Sequence, residues 1–190
     1  MRYLLYYPMI HVQNEDYIRE CSREYGIALG DEVIKEIARK VHNMWEEFRN
    51  DLKKIPRFDR LYLESTYENK VSKPITRSIG MDGCLKEILS SGAKIEVTED
   101  KIFEEHKKNV YSMSEETFAK FQLEREQGVY RRINNTLKSD ERGLLLFGAF
   151  HQPQFQSIFR DVKGMEFEVY DNSDEINNIL RYIDDKKCFR

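Results

Sequence analysis

The chain predicts an α/β fold: a sheet of about five strands with helices on both faces. Three observations carry that expectation. Apolar runs too short for buried helices, such as Leu144 to Phe147, read as strands covered on both faces. Between them lie longer stretches whose apolar residues recur at three- and four-residue steps, as amphipathic helices require. Titratable residues stand directly after several of the runs, and in open α/β sheets ligands bind outside the carboxyl ends of the strands.

Taken in order, Tyr3 to Ile10 is an apolar, β-favouring first strand. A short helical segment from Asp16 to about Tyr25 follows, broken by Gly26 to Gly30. Asp31 is the expected N-cap of a long helix whose stripe is Val33, Ile34, Ile37, Ala38, Val41, Met44, Trp45, Phe48 and Leu52. His42 lies beside that stripe and reads as a partly buried structural histidine. Pro56 leads into strand two, Arg60 to Glu64. The aperiodic Ser65 to Arg77 reads as a loop at the same sheet end, with Tyr67 and Arg77 as candidate substrate contacts.

Met81 to Ser91, with Leu85, Ile88 and Leu89 as apolar face, makes a helix stopped by Gly92. Ala93 to Val97 is strand three, and Thr98, Glu99 and Asp100 read as caps of a helix through Ile102, Phe103 and His106. Ser114 opens a second long helix to about Leu137, with Phe118, Phe121, Val129, Ile133 and Leu137 as its buried stripe. Strand four spans Gly143 to Ala149, Phe155 to Phe159 is helical, and Glu166 to Tyr170 alternates as an edge strand should. Asp171 and Ser173 cap a last helix that presents Ile176, Ile179, Leu180 and Ile183.

With 190 residues the chain is expected to form one domain, residues 1–190, and can bury about two thirds of its unfolded surface. Charged residues make up 34% and hydrophobic residues 40%, the balance of a soluble globular protein. A net charge of −3 with dispersed Lys and Arg argues against a nucleic-acid surface. Cys21, Cys84 and Cys188 are odd in number and lack CxxC spacing, so a reducing cytoplasm fits better than a disulfide framework. No run is long enough to span a membrane, and the GxGxxG and GxxxxGK[ST] phosphate loops are missing. The eleven Tyr and eleven Phe could build a core or an interface such as that of a homodimer.

Four residues stand out as a candidate site. His11, Glu64 and His151 each follow an apolar strand, and His, Glu and His form the residue set of a water-activating or metal-binding centre. Arg125 lies on the buried stripe of its helix, where an arginine needs a partner: Glu64, a substrate carboxylate or an oxyanion.

These residues carry a family resemblance. Gly148, Ala149, Phe150 and His151 form a GxxH at a strand end, and Glu124, Arg125 and Glu126 precede it with Ile133 eight residues past the arginine. This resembles the second half of the TraB/GumN proteins, of the group that includes erythromycin esterase and the ChaN haem-uptake proteins. The first half is similar in outline: Pro8, Met9, Ile10 and His11 answer the family's GTxH, with Pro8 and Met9 replacing its Gly-Thr, and Leu63-Glu64 answers its strand ending in Glu.

The resemblance implies an erythromycin esterase/ChaN-like α/β fold, with a central mixed, largely parallel sheet of about five strands and helices on both faces, and a site of His11, Glu64, Arg125 and His151. The expected activity is hydrolysis of a peptide, ester or other small-molecule substrate. Either His11, Glu64 and His151 bind a divalent metal (Zn, Mn or Co), or a histidine acts on water directly with no metal. The alternative is a protein without turnover that binds haem, a metal or a small regulatory ligand.

Overall fold

In a computed structural model of the chain, which describes residues 1–10, 12, 14–24, 26–66, 79–100, 103 and 113–187, the expected strands form one sheet. They are β1 (Arg2–Met9), β2 (Arg60–Leu63), β3 (Lys94–Glu96), β4 (Arg142–Gly148) and β5 (Met165–Val169), in the order β3-β2-β4-β1-β5. The sheet is parallel throughout, not mixed. The reason is the connections. Helices stand between every pair of successive strands, and parallel neighbours need such crossovers where a tight hairpin would have paired them antiparallel. Among the described residues the α-helices are α1 (Glu15–Glu24), α2 (Asp31–Leu52), α3 (Met81–Ser90), α4 (Glu115–Thr136), α5 (Gln152–Phe159) and α6 (Ser173–Lys187).

Two compact units are interleaved along the chain. The first comprises Met1–Pro8, Phe58–Ser72 and Gly92–Tyr170, and so holds the sheet with α4 and α5. Its middle strand is β4, whose Leu144, Leu145, Leu146 and Phe147 are fully buried. Side chains alternate between faces along a strand. Leu145 and Phe147 accordingly join Leu4, Tyr6 and Tyr62 in one cluster with Val129 and Ile133 of α4, Leu137, and Phe155 and Phe159 of α5. Gly143 keeps this layer close: a Cβ there would come within 3.1 Å of Leu4 Cδ1 and Tyr62 Cε2. At the opposite end of β2 from the candidate site, Arg60 Nε and Nη2 donate to Glu141 at 3.0 and 2.8 Å, and Nη1 donates to Glu96 of β3. β5 is the edge strand expected, with Met165 buried and Glu166 and Glu168 exposed.

α4 begins as read, with Ser114 Oγ accepting from the Thr117 N–H at 3.3 Å. Phe118 departs from the expected stripe. It is 37% exposed, because burial on α4 starts one turn later at Phe121, which meets Phe103 edge to face at 5.5 Å. The helix expected around Phe103 otherwise lies outside the described residues, as do Ile102, His106 and the loop beyond Thr66 with Tyr67 and Arg77.

The second unit comprises Met9–Arg57, Lys73–Ser91 and Asp171–Arg190. Here α2 buries Ile34, Ile37, Ala38, Val41, Met44, Trp45 and Phe48, the stripe legible in the sequence, and packs on α3 and α6. Its N-cap is Gly30 instead of Asp31, which is already helical and accepts from Arg19 Nη2 at 2.8 Å. His42 is exposed, one step off the stripe, instead of partly buried.

Cys84 in α3 donates its thiol to the Trp45 carbonyl at 3.2 Å. Burial, with Glu46 nearby, pushes that thiol up to about 12. A raised pKa in the folded state means stabilisation that is complete below the ordinary thiol pKa of 9.0 and lost as pH climbs towards 12. Maleimide labelling at pH 8, read residue by residue by mass spectrometry, is therefore expected to modify Cys84 only after unfolding by denaturant. Labelling of Cys84 in the native protein at the rate of half-buried Cys21 would contradict its burial.

Candidate functional site

The strand order determines which residues meet. β3, β2 and β4 are neighbours and run parallel, so their carboxyl ends lie side by side. Each is followed by a polar residue: Glu64 directly after β2, Glu99 three residues past β3, and His151 at the end of a single 3₁₀ turn (Ala149–His151) after β4. All three are buried, as are Arg125 and Glu126 of α4.

Hydrogen bonds to the backbone tie this end of the sheet together. Glu64 N–H donates to the Leu146 carbonyl at 2.9 Å, extending the ladder, and Gly148 N–H donates to Glu64 Oε2 at 2.8 Å. The Tyr6 hydroxyl donates to the Gly148 carbonyl at 2.7 Å, and burial, with Glu64 and Glu126 nearby, holds its pKa well above the usual phenol range. Ser65 turns the chain with φ +61°, an uncommon left-handed value for a residue with a Cβ. Its N–H donates to Glu99 Oε1 at 2.6 Å. The Thr66 carbonyl accepts from Thr98 and Glu99 N–H at 3.0 and 3.2 Å, and Thr98 Oγ1 bonds the Leu63 carbonyl.

Arg125 lies at the centre, 3% exposed. A guanidinium carries five N–H donors, and each has an acceptor. Nε donates to Glu99 Oε2 at 2.9 Å, and Nη2 to Glu99 Oε1 at 2.7 Å and Glu64 Oε1 at 2.6 Å. Nη1 faces Gln122 Oε1 at 3.5 Å and His151 Nε2 at 3.4 Å. The Phe147 ring lies under the guanidinium, 4.8 Å away. Burial works against the charge, but Glu64 and Glu99 more than offset it and hold Arg125 above its ordinary pKa.

On the far side of the imidazole, Glu126 Oε1 is 2.5 Å from His151 Nδ1. A carboxylate only accepts, so Nδ1 carries the proton and Nε2 presents its lone pair toward Arg125. Phe147 stands edge-on to the ring at 4.9 Å and fixes its plane. The result is a histidine with one nitrogen anchored on a carboxylate and the other turned, lone pair first, to an N–H of Arg125. No protein-family model, curated protein or solved structure matches this chain.

Of the four residues expected to form the site, Glu64, Arg125 and His151 come together, and Glu64 is one of the partners that a buried Arg125 was expected to need. His11 lies outside the described residues. Two further members join them. Glu99 stands where an acidic residue ordinarily caps a helix, yet it is Arg125's bidentate partner. Glu126 belongs to the Glu-Arg-Glu segment, and it anchors His151. Among the described residues no three His, Cys, Asp or Glu side chains stand where they could hold a metal. Glu64 and His151 are both engaged by the Arg125 cation, which would repel a divalent ion placed between them.

Proposed function

We propose that this protein is a hydrolase of esters or amides in which His151 is the general base and Glu126 its anchor. The observation that supports this most directly is the 2.5 Å contact between Glu126 and His151 Nδ1, which leaves Nε2 as the basic nitrogen. In this reading Nε2 takes a proton from water as the water oxygen attacks the substrate carbonyl. Once protonated, Nε2 no longer accepts from Arg125 Nη1, and that N–H is released to the oxyanion. The proton then passes from Nε2 to the departing alcohol or amine oxygen or nitrogen, the bond to the carbonyl carbon breaks, and a carboxylic acid remains.

Glu64 and Glu99 hold the guanidinium in place while this happens. The resemblance to the TraB/GumN and erythromycin esterase group agrees with hydrolysis. A metal-assisted version with His11, Glu64 and His151 as ligands to Zn, Mn or Co would require Glu64 and His151 to give up their bonds to Arg125. The metal-free version keeps the Glu64–Arg125 bond throughout and gives up the one between His151 and Arg125 only when Nε2 is protonated, and we prefer it on that ground.

Glu126→Gln tests the assignment. Its amide can present an N–H to Nδ1 and so stabilise the wrong tautomer, and kcat on a panel of 4-nitrophenyl esters and peptide amides is expected to fall about 10²-fold or more. Turnover at the wild-type rate would remove Glu126 from the mechanism. Metal content of the purified wild-type protein is the companion measurement: a stoichiometric divalent ion lost in His151→Ala would replace the metal-free version with the metal-assisted one.

A further inference from the structure

The segment that carries His151 is set apart by its lack of charge. In a chain with 34% charged residues, positions 143–159 contain no Asp, Glu, Lys or Arg. Burial explains this for β4 and for Phe155 and Phe159, but not for the exposed positions of the 3₁₀ turn and of α5, which are Phe150, Pro153, Gln156 and Ser157. Exposed positions are where charge costs least, yet here they are apolar or neutral.

Three phenylalanines flank His151 in sequence. Phe147 and Phe155 turn inward and are fully buried, whereas Phe150 is 90% exposed. It is not on a loose segment: the 3₁₀ turn that carries it is tied through Gly148 to Glu64 and Tyr6, and through Gln152 N–H to the Ala149 carbonyl. The exposed Phe150 ring, one residue from the proposed base, offers apolar surface to a ligand.

We infer that the substrate of this site is an uncharged ester or amide bearing an apolar group, an acyl chain or aryl ring, that lies on Phe150 and Pro153. This rests on the hydrolase reading and adds the class of substrate to it. Any carbonyl brought to His151 carries its substituents past the neutral rim. There an apolar group gains contact with the exposed ring, whereas a charged one would lose hydration and find no side chain of opposite sign on residues 143–159.

The test compares 4-nitrophenyl acetate with 4-nitrophenyl octanoate, using wild type, Phe150→Ala and Phe150→Leu. Wild type is expected to favour octanoate. In Phe150→Ala the octanoate-to-acetate ratio of kcat/KM should fall about tenfold, through KM, and Phe150→Leu should restore most of it. A ratio unchanged in Phe150→Ala would overturn the inference while leaving the hydrolase reading intact.

Should wild type cleave neither ester, the hydrolase reading fails, and calorimetric titration with 2-octanone, uncharged and not hydrolysable, decides the inference alone. Binding that is lost in Phe150→Ala upholds an apolar ligand on this rim. Equal binding by both proteins, or none by wild type, rejects it.

Discussion

Arg125→Met is expected to destabilise the protein by about 3–5 kcal/mol, because it leaves two buried carboxylates without their counter-charge. For a chain of this length that is a drop of about 6–20 °C in the melting midpoint. Glu99 is the critical partner: it is 2% exposed and accepts from both Nε and Nη2. Glu64 keeps the bond from Gly148 N–H to Oε2 when Arg125 is removed.

The expected loss is a penalty for orphaned charge more than a measure of the ion pair's net worth. The triple variant Arg125→Met, Glu99→Leu, Glu64→Leu should accordingly recover much of the lost stability while remaining inactive. Thermal and urea unfolding of the single and triple variants check this. A single-variant loss below about 1 kcal/mol, the range of exposed pairs, would mean that Arg125 is solvated and the cluster is not the buried network described.

How much of this was legible in the sequence depended on whether a local pattern was enough. Periodicity located every strand and the buried faces of α2 and α4, since both follow from which residues recur on one side of an element. Arg125 announced itself because a charge on an apolar stripe violates that pattern, and the demand for a carboxylate then pointed to Glu64. Glu99 was hidden by a competing local explanation: an acidic residue after a strand and before a helix is ordinarily a cap. Only the strand order β3-β2-β4 shows that it faces Arg125.

Glu126 was hidden differently. It lies 100° around α4 from Arg125, off the apolar stripe, and its burial is caused by the turn after β4 bringing His151 to it. The parallel character of the sheet was likewise a matter of connections, and not of strand composition. Asp31 and Phe118 show the ordinary limit of pattern reading at helix ends, where a cap or a stripe begins a residue or a turn away from where composition places it.

His151→Ala is expected to lower kcat by about 10²–10⁴-fold, the usual contribution of a positioned general base. The alanine variant also strips Glu126 of its partner, at a cost of about 1–3 kcal/mol for an unsatisfied buried acceptor, so lost activity alone would not separate chemistry from folding. Two further measurements do. His151→Gln offers an amide N–H toward Glu126 and is expected to melt closer to wild type than the alanine variant, yet remain inactive, since an amide nitrogen has no basic lone pair. Imidazole added to His151→Ala is expected to restore part of the activity by supplying the missing base. Rescue that rises with the basicity of a series of substituted imidazoles would identify the missing base, because a ligand that only refills the cavity stabilises the fold without regard to its basicity. A Gln variant with wild-type kcat would show that Nε2 takes no proton, and the Glu126–His151 pair would then be an internal hydrogen bond of the same kind as that between Tyr6 and Gly148.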